Sequence, residues 1–221
     1  YTQSVDVQHL TTTVHTAWVP PVRVTWQYHA DGAIASAPSL GDLDRDGVLD
    51  VVVTSKDRHV HAISGWTGTR MWATDLGREL SASPLLADLD RDGVLDVAVG
   101  SVDRNVYALK GTNGRRLWTY AAGSSVEASP AGADLNADGT PDVIVGSRDQ
   151  HVHAISGLTG QLLWKFPTSS AVRQSVALGD LDRDGTPDVV TGSQDGTIYA
   201  ISGRSGKQLW THPTGGWSKS P

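Results

Sequence analysis

The chain is predicted to be all-β, a propeller of four-stranded antiparallel blades, and three observations carry that prediction. One unit returns at a fixed interval: Asp42, Asp88, Asp134 and Asp180 stand 46 residues apart, and each opens a nearly identical acidic loop within GDLDRDGVLD, ADLDRDGVLD, ADLNADGTPD or GDLDRDGTPD. The 221 residues include 24 glycines and 8 tryptophans but one methionine and one phenylalanine, and no segment sustains a helical period, a pattern of short strands and tight turns. A unit of four short strands repeated at this length cannot bury both faces alone, whereas stacking such units around an axis does.

The elements follow in order through each unit. The stretches at 34–44, 80–90 and 126–136 lead into the acidic loops as first strands. After the loops come LDVVVTS, LDVAVGS, PDVIVGS and PDVVTGS, apolar runs whose length suits strands buried on both faces. A Ser-x-Asp turn follows (Ser55/Asp57, Ser101/Asp103, Ser147/Asp149, Ser193/Asp195), then HVHAISG, NVYALKG, HVHAISG or TIYAISG as the third strand. A Thr-Gly, Asn-Gly or Ser-Gly turn leads to a fourth strand ending in Trp72, Trp118, Trp164 or Trp210, with Trp26 one period upstream. The full repeats are thus expected at about 34–72, 80–118, 126–164 and 172–210, within a single domain, 1–221. The ends supply the pieces of a fifth, composite blade from 1–28 and 211–221: VDVQHL, TTTVHTAW and VRVTWQY resemble second, third and fourth strands, and GWSKSP a first. Closing the ring in this way removes exposed strand edges. The other reading is a piece of a longer propeller.

Composition narrows the function. Net charge is −6, and 15 of the 24 acidic residues lie in the four loops, so a divalent cation in each would carry the chain past neutrality. No basic stripe points to nucleic acid. The absence of cysteine excludes disulfides, thiolate metal sites and cysteine nucleophiles. No apolar run is long enough to insert into a membrane, and no charged-then-apolar leader is present, so any export signal lies outside this chain.

Four carboxylates crowded into ten residues repel one another unless a cation or several hydrogen bonds hold them ionised. Oxygens at positions 1, 3, 5 and 9, with glycine at 6 and a backbone carbonyl at 7, suit a hard cation that takes six to eight oxygen ligands. The first half of the loop resembles an EF-hand, but position 12 of the first loop is Val53 rather than glutamate, and Asp50 runs directly into a strand. The alternative is that these aspartates only cap turns. Magnesium fits less well than calcium because a carboxylate-rich cage strips too much of its water.

D-x-D-x-D-G-x-x-D between two strands resembles the calcium loop of FG-GAP (VCBS-type) repeats, the blades of integrin α-subunit propellers. VYALKGTNGRRLW is similar to the repeat of PQQ-type quinoprotein propellers, in which the tryptophan docks one blade on the next. The resemblance covers about 22–210 and implies four structural calcium ions. Their ligands would be Asp42, Asp44, Asp46, Val48 and Asp50; Asp88, Asp90, Asp92, Val94 and Asp96; Asp134, Asn136, Asp138, Thr140 and Asp142; and Asp180, Asp182, Asp184, Thr186 and Asp188, with the position-7 residues contributing carbonyls. Asn136 keeps an oxygen but drops a charge, so the third loop is expected to bind most weakly.

Other residues break the repeat or carry chemistry. His59/His61 and His151/His153 share strand faces, but the matching Asn105/Tyr107 and Thr197/Tyr199 favour packing over metal binding. Trp18, Trp66 and Trp217 are out of step with the repeat and are candidates for ligand stacking. Ala35, Ser81, Glu127 and Arg173 vary at one position of the innermost strand. Glu127 and Arg173 are therefore ligand candidates, or else form an ion pair between adjacent blades. The family resemblance implies a non-catalytic, calcium-stabilised binding or adhesion module that recognises a protein or glycan on a surface, in an extracellular, cell-surface or periplasmic setting. The alternatives are a carbohydrate-binding lectin and an enzyme. A quinoprotein lacks its vicinal cysteines here, and no Ser/His/Asp constellation points to a hydrolase.

Overall fold

The computed structural model describes residues 25–214 and the backbones of two earlier strands, β1 (Thr2–Asp6) and β2 (Thr11–His15), which pair as an antiparallel hairpin. The other residues expected to build a fifth blade, with Trp18 and Trp217, lie outside the described residues, except that 25–30 form no strand and 211–213 extend the last strand of the fourth sheet instead. Among the described residues every element is a strand or a turn. Four sheets of four antiparallel strands follow in chain order: β3 (Ser39–Gly41) to β6 (Arg70–Asp75), β7 (Leu85–Ala87) to β10 (Arg116–Ala121), β11 (Ala131–Ala133) to β14 (Leu162–Pro167), and β15 (Ala177–Gly179) to β18 (Gln208–Pro213).

Each sheet runs through its strands in sequence order, joined by hairpins. The innermost strands are only three residues long, and consecutive ones touch: β3 meets β7, β7 meets β11 and β11 meets β15. They are shorter than the sequence reading placed them. Pro38, Pro84 and Pro130 stand just upstream, and a proline has no N–H for a ladder. The second strands, β4 (Asp50–Thr54), β8 (Asp96–Gly100), β12 (Asp142–Gly146) and β16 (Asp188–Gly192), are almost wholly buried, as their unbroken apolar runs require. The outer strands do not end at tryptophan, as the repeat boundaries assumed. Trp72 is the third residue of β6, which pairs with β5 (His59–Ile63) through Asp75, past a bulge between Ala62 and Ile63. The same register shift recurs in the other three blades.

Blade-to-blade packing repeats with the same period. The indole Nε1 of Trp26, Trp72, Trp118 and Trp164 donates to the carbonyl of Gly65, Gly111, Gly157 and Gly203, each 39 residues on, at 2.6–2.9 Å. The ring then lies on a glycine three residues further along the turn. At Gly114, φ is 69° and an added Cβ would sit 2.5 Å from Trp72 Cε3. Gly68, Gly160 and Gly206 stand in the same relation to Trp26, Trp118 and Trp164. Trp210, which meets no such turn among the described residues, is 44% exposed. The fourth blade also leaves open space at Gly179 and Gly192, where Gly41 is met by Leu86 and Leu95 and Gly146 by Val172. At the other end of the array, Leu40 and Leu49 are more than half exposed.

Gly114→Ala adds a left-handed backbone cost to a collision with the indole and is expected to lower unfolding stability by about 2–4 kcal/mol. Gly77→Ala, with φ 84° and nothing within 4 Å, carries the backbone cost alone, about 1–2 kcal/mol. Denaturant melts of the two variants check the difference.

Candidate metal centre

The acidic loop is built by its own side chains bonding its own backbone. Asp42 Oδ1 accepts the N–H of Arg45 and Oδ2 that of Gly47; Asp44 accepts from Asp46, and Asp46 from Val48. The corresponding bonds recur in the fourth loop, from Arg183, Gly185, Asp184 and Thr186. Position 6 is glycine with φ between 81° and 85° in all four loops, and position 4 is a non-glycine residue with φ between 59° and 65°. This local network is the turn capping that Asx residues provide, and it folds the loop into a tight cup.

Position 9 has a different task. Asp50, Asp96, Asp142 and Asp188 are 0% exposed. One oxygen accepts the N–H of Leu43, Leu89, Leu135 or Leu181 within the loop, at 2.8–3.1 Å. The other accepts the N–H of Gly65, Gly111, Gly157 or Gly203 across the blade, at 2.9–3.2 Å. Those glycines are the ones whose carbonyls receive the preceding tryptophan, so a single buried carboxylate joins the acidic loop to the blade interface. A side chain there is impossible, because a Cβ would fall 1.7–1.9 Å from the carbonyl oxygen of position 8.

Carboxylates at positions 1, 3 and 9 converge. Asp42, Asp44 and Asp50 bring oxygens within 4.8 Å of one another, as do Asp88, Asp90 and Asp96, and Asp180, Asp182 and Asp188. In the third loop, Asn136 replaces one acid, and its amide nitrogen donates to Asp138 Oδ2. The aspartates at position 5 turn one oxygen to the backbone N–H of position 7. In the second loop Asp88 Oδ1 is buried with no hydrogen-bond partner among the described residues, an acceptor that a cation would satisfy. The same loop holds a built-in cation: the Lys110 ammonium donates to Asp90 and Asp92, where the other blades have Ser64, Ser156 and Ser202. Although burial works against its charge, these two carboxylates raise the lysine's pKa and keep it protonated.

Burial, more than any neighbour, pushes the Asp96 carboxyl up to about 6; the charge of Asp90 adds to this, and the N–H groups of Gly111 and Leu89 oppose it. Asp50 and Asp142 move upward for the same first reason. A carboxylate held in this condition is relieved by a cation.

The other sequence-derived candidates fall elsewhere. Trp66 is 75% exposed on the turn of the first blade. Glu127 and Arg173 form an ion pair at 3.1 Å between adjacent blades, and Arg148 joins Glu127 at 3.2 Å. His61 is clamped between the Tyr28 hydroxyl at Nδ1 and the Asp57 carboxylate at Nε2, and His153 likewise between Tyr120 and Asp149. In the alternate blades the hydroxyls of Tyr107 and Tyr199 reach Asp103 and Asp195 directly. Imidazole and phenol thus exchange while the bond to aspartate stays. Asp57, His59 and His61 do lie close enough to share an ion, but both ring nitrogens of His61 are already engaged.

Sequence reasoning missed the contacts between loops. Arg45 donates to the Asp92 carbonyl, and Arg91 to the carbonyl and Oδ1 of Asp138 and to Thr140 Oγ1, so position 4 of one loop reaches the next. Aligning position 4, which reads Arg45, Arg91, Ala137 and Arg183, would have exposed the pattern.

This architecture can be compared with known proteins. A family of PQQ-type repeats described as outer membrane protein assembly factor BamB matches residues 47–216. The chain belongs to that family. The solved structure of BamB from Moraxella catarrhalis superposes with a TM-score of 0.53 at 19% identity, over 86% of this chain and 67% of that one. Sqt1 from Saccharomyces cerevisiae gives a TM-score of 0.68 at 15% identity, over 95% of this chain and 54% of that one. These likenesses bear on the propeller fold, and the chain spans about half to two thirds of each structure. Among curated proteins none matches. The BamB-type match covers the tryptophan-bearing blades from the first acidic loop onward.

In the metal-free protein Asp96 binds a proton more readily folded than unfolded, since its ordinary value is about 3.9. Its contribution therefore favours the fold below about pH 4 and is lost as pH rises through about 6. In chelator, the stability of the parent chain relative to Asp96→Asn is expected to increase as pH falls from 7 to 5. Paired melting curves with a constant difference across that window would contradict this origin.

Proposed function

We propose that this chain is a non-catalytic propeller module that recognises protein and is stabilised by calcium in its acidic loops, working outside the cytoplasm. The observation that carries the calcium reading is the convergence of three carboxylates in each of three loops, one of them with a buried acceptor lacking a partner. Asp42, Asp44, Asp46 and Asp50, and their counterparts in the other loops, would hold the ions, as in the FG-GAP loops they resemble, with Val48, Val94, Thr140 and Thr186 contributing carbonyls. Calcium would neutralise carboxylates that otherwise repel one another. The first and fourth loops, with four acids and no ammonium on their carboxylates, fill before the second, where Lys110 must move, and before the third, which has Asn136. Extracellular calcium, at millimolar level, suits loops of this kind.

The protein-recognition reading is supported by the family description, which names a factor in outer membrane protein assembly. The non-catalytic part of the reading is supported by the His61 and His153 imidazoles, whose ring nitrogens are both taken up by a tyrosine hydroxyl and an aspartate. The exposed Trp66 indole favours one second reading, a lectin that stacks on sugar.

Calorimetric titration of chelator-treated chain with calcium is expected to show at least two sites, and saturating calcium to raise the melting temperature; at 100-fold excess over Kd each independent site adds about 2.7 kcal/mol. Asn136→Asp should add affinity at the third loop. Heat-silent titrations with an unchanged melting temperature would remove calcium from the reading. Selective binding on a glycan array in calcium, lost in Trp66→Ala, would put the lectin first. A blank array, with a specific partner crosslinked to the folded domain, would uphold protein recognition.

A further inference from the structure

We propose that the groove between the third and fourth acidic loops is a docking notch for an arginine side chain of a protein partner. The chain itself shows what fills such a junction. Arg45, with φ 63°, crosses from the first loop to the carbonyl of Asp92, and Arg91, with φ 64°, crosses from the second to Asp138 and Thr140. Arg91 reaches Thr140 Oγ1 at 2.6 Å and Asp138 Oδ1 at 2.9 Å. At the third junction the same backbone conformation recurs, φ 59°, but the residue is Ala137 and its methyl group cannot cross. A groove of about 780 Å³ opens at that place, lined by Asp134, Asn136 and Ala137 on one side and Gly185, Thr186 and Arg204 on the other.

The acceptors that Arg91 uses have counterparts in the fourth loop, the Asp184 carbonyl and carboxylate and Thr186 Oγ1, of which Thr186 lines the groove. Among the described residues the Asp184 carbonyl receives no donor. Arg204 approaches from its own blade, at 3.3 Å from Thr186 Oγ1 and 3.5 Å from Asp184 Oδ2, longer contacts than those of Arg91. Acceptors spread over a carbonyl, a carboxylate and a hydroxyl match the planar, five-donor guanidinium better than the point charge of lysine. The notch deepens the protein-recognition reading and rests on it.

The test is calorimetric titration of the full chain, in calcium, with the capped tripeptide Ala-Arg-Ala and its Ala-Lys-Ala counterpart. One arginine peptide is expected to bind per chain, at least tenfold more tightly than the lysine peptide, and Ala137→Arg, which supplies the side chain in cis, should abolish binding while melting no lower than the parent. Arg91→Ala vacates the preceding junction and should raise the stoichiometry from one to two, a result that does not depend on how Ala137→Arg folds. No binding of the arginine peptide, equal binding of both peptides, or an undiminished site in Ala137→Arg overturns the notch. A crosslinked protein partner that binds Ala137→Arg as well as the parent overturns it too, while leaving protein recognition in place.

Discussion

The fold depends on four buried carboxylates. Asp50, Asp96, Asp142 and Asp188 sit at the head of the second strand of each blade, where an unpaired charge would be strongly destabilising. Each is held by two backbone N–H groups that have little other choice of partner: one closes the acidic loop and the other belongs to the glycine that receives the neighbouring tryptophan. The loop, the blade and the blade interface therefore share one hydrogen-bonded centre. The cluster that could attract a cation is the cluster that positions the docking turn, so occupancy of the loop and tightness of the interface are physically linked.

That linkage adds direction to the apolar clusters that join adjacent blades, such as Leu43, Val52 and Val60 with Val97, Val99 and Leu109, and helps to fix their register. At each internal junction an indole donates to a carbonyl and covers a glycine with positive φ. Beside it the residue two places after the indole makes a second contact, Tyr28 on His61, Tyr120 on His153 and Phe166 against Tyr199, while Thr74 bonds the Gly114 carbonyl instead. At the ends of the described array, these contacts are half made. Trp210, Gly179 and Gly192 on one side and Leu40 and Leu49 on the other lack, among the described residues, the neighbours that their counterparts have at the three junctions between the four sheets.

The 46-residue period made the blades legible, because every turn, apolar run and tryptophan recurs in step. The strand ends were less so. Trp72 marks the middle of its strand, since the bulge after Ala62 shifts the register and lets pairing continue to Asp75. The acidic loops were legible as loops, and the importance of position 9 was not, because Asp50 reads as one more ligand until its two N–H partners are seen in space. Lys110, Arg45 and Arg91 were missed for a related reason. Each acts on residues distant in sequence, and Lys110 also departs from the serine that the other three copies carry. His61 and Tyr107 look unlike one another in sequence but become equivalent once both are found bonded to the aspartate four residues earlier.

The most direct test of the shared centre is hydrogen exchange at the indole N–H groups of Trp26, Trp72, Trp118 and Trp164, followed by NMR in calcium and in chelator. If the buried carboxylate couples loop to interface, calcium slows all four, and Asp96→Asn, which offers one oxygen where two are used, speeds exchange at Trp72 while sparing Trp164. Exchange that is indifferent to calcium, or an Asp96→Asn variant whose Trp72 indole is protected as in the parent, would show that the loops and the blade interfaces are independent.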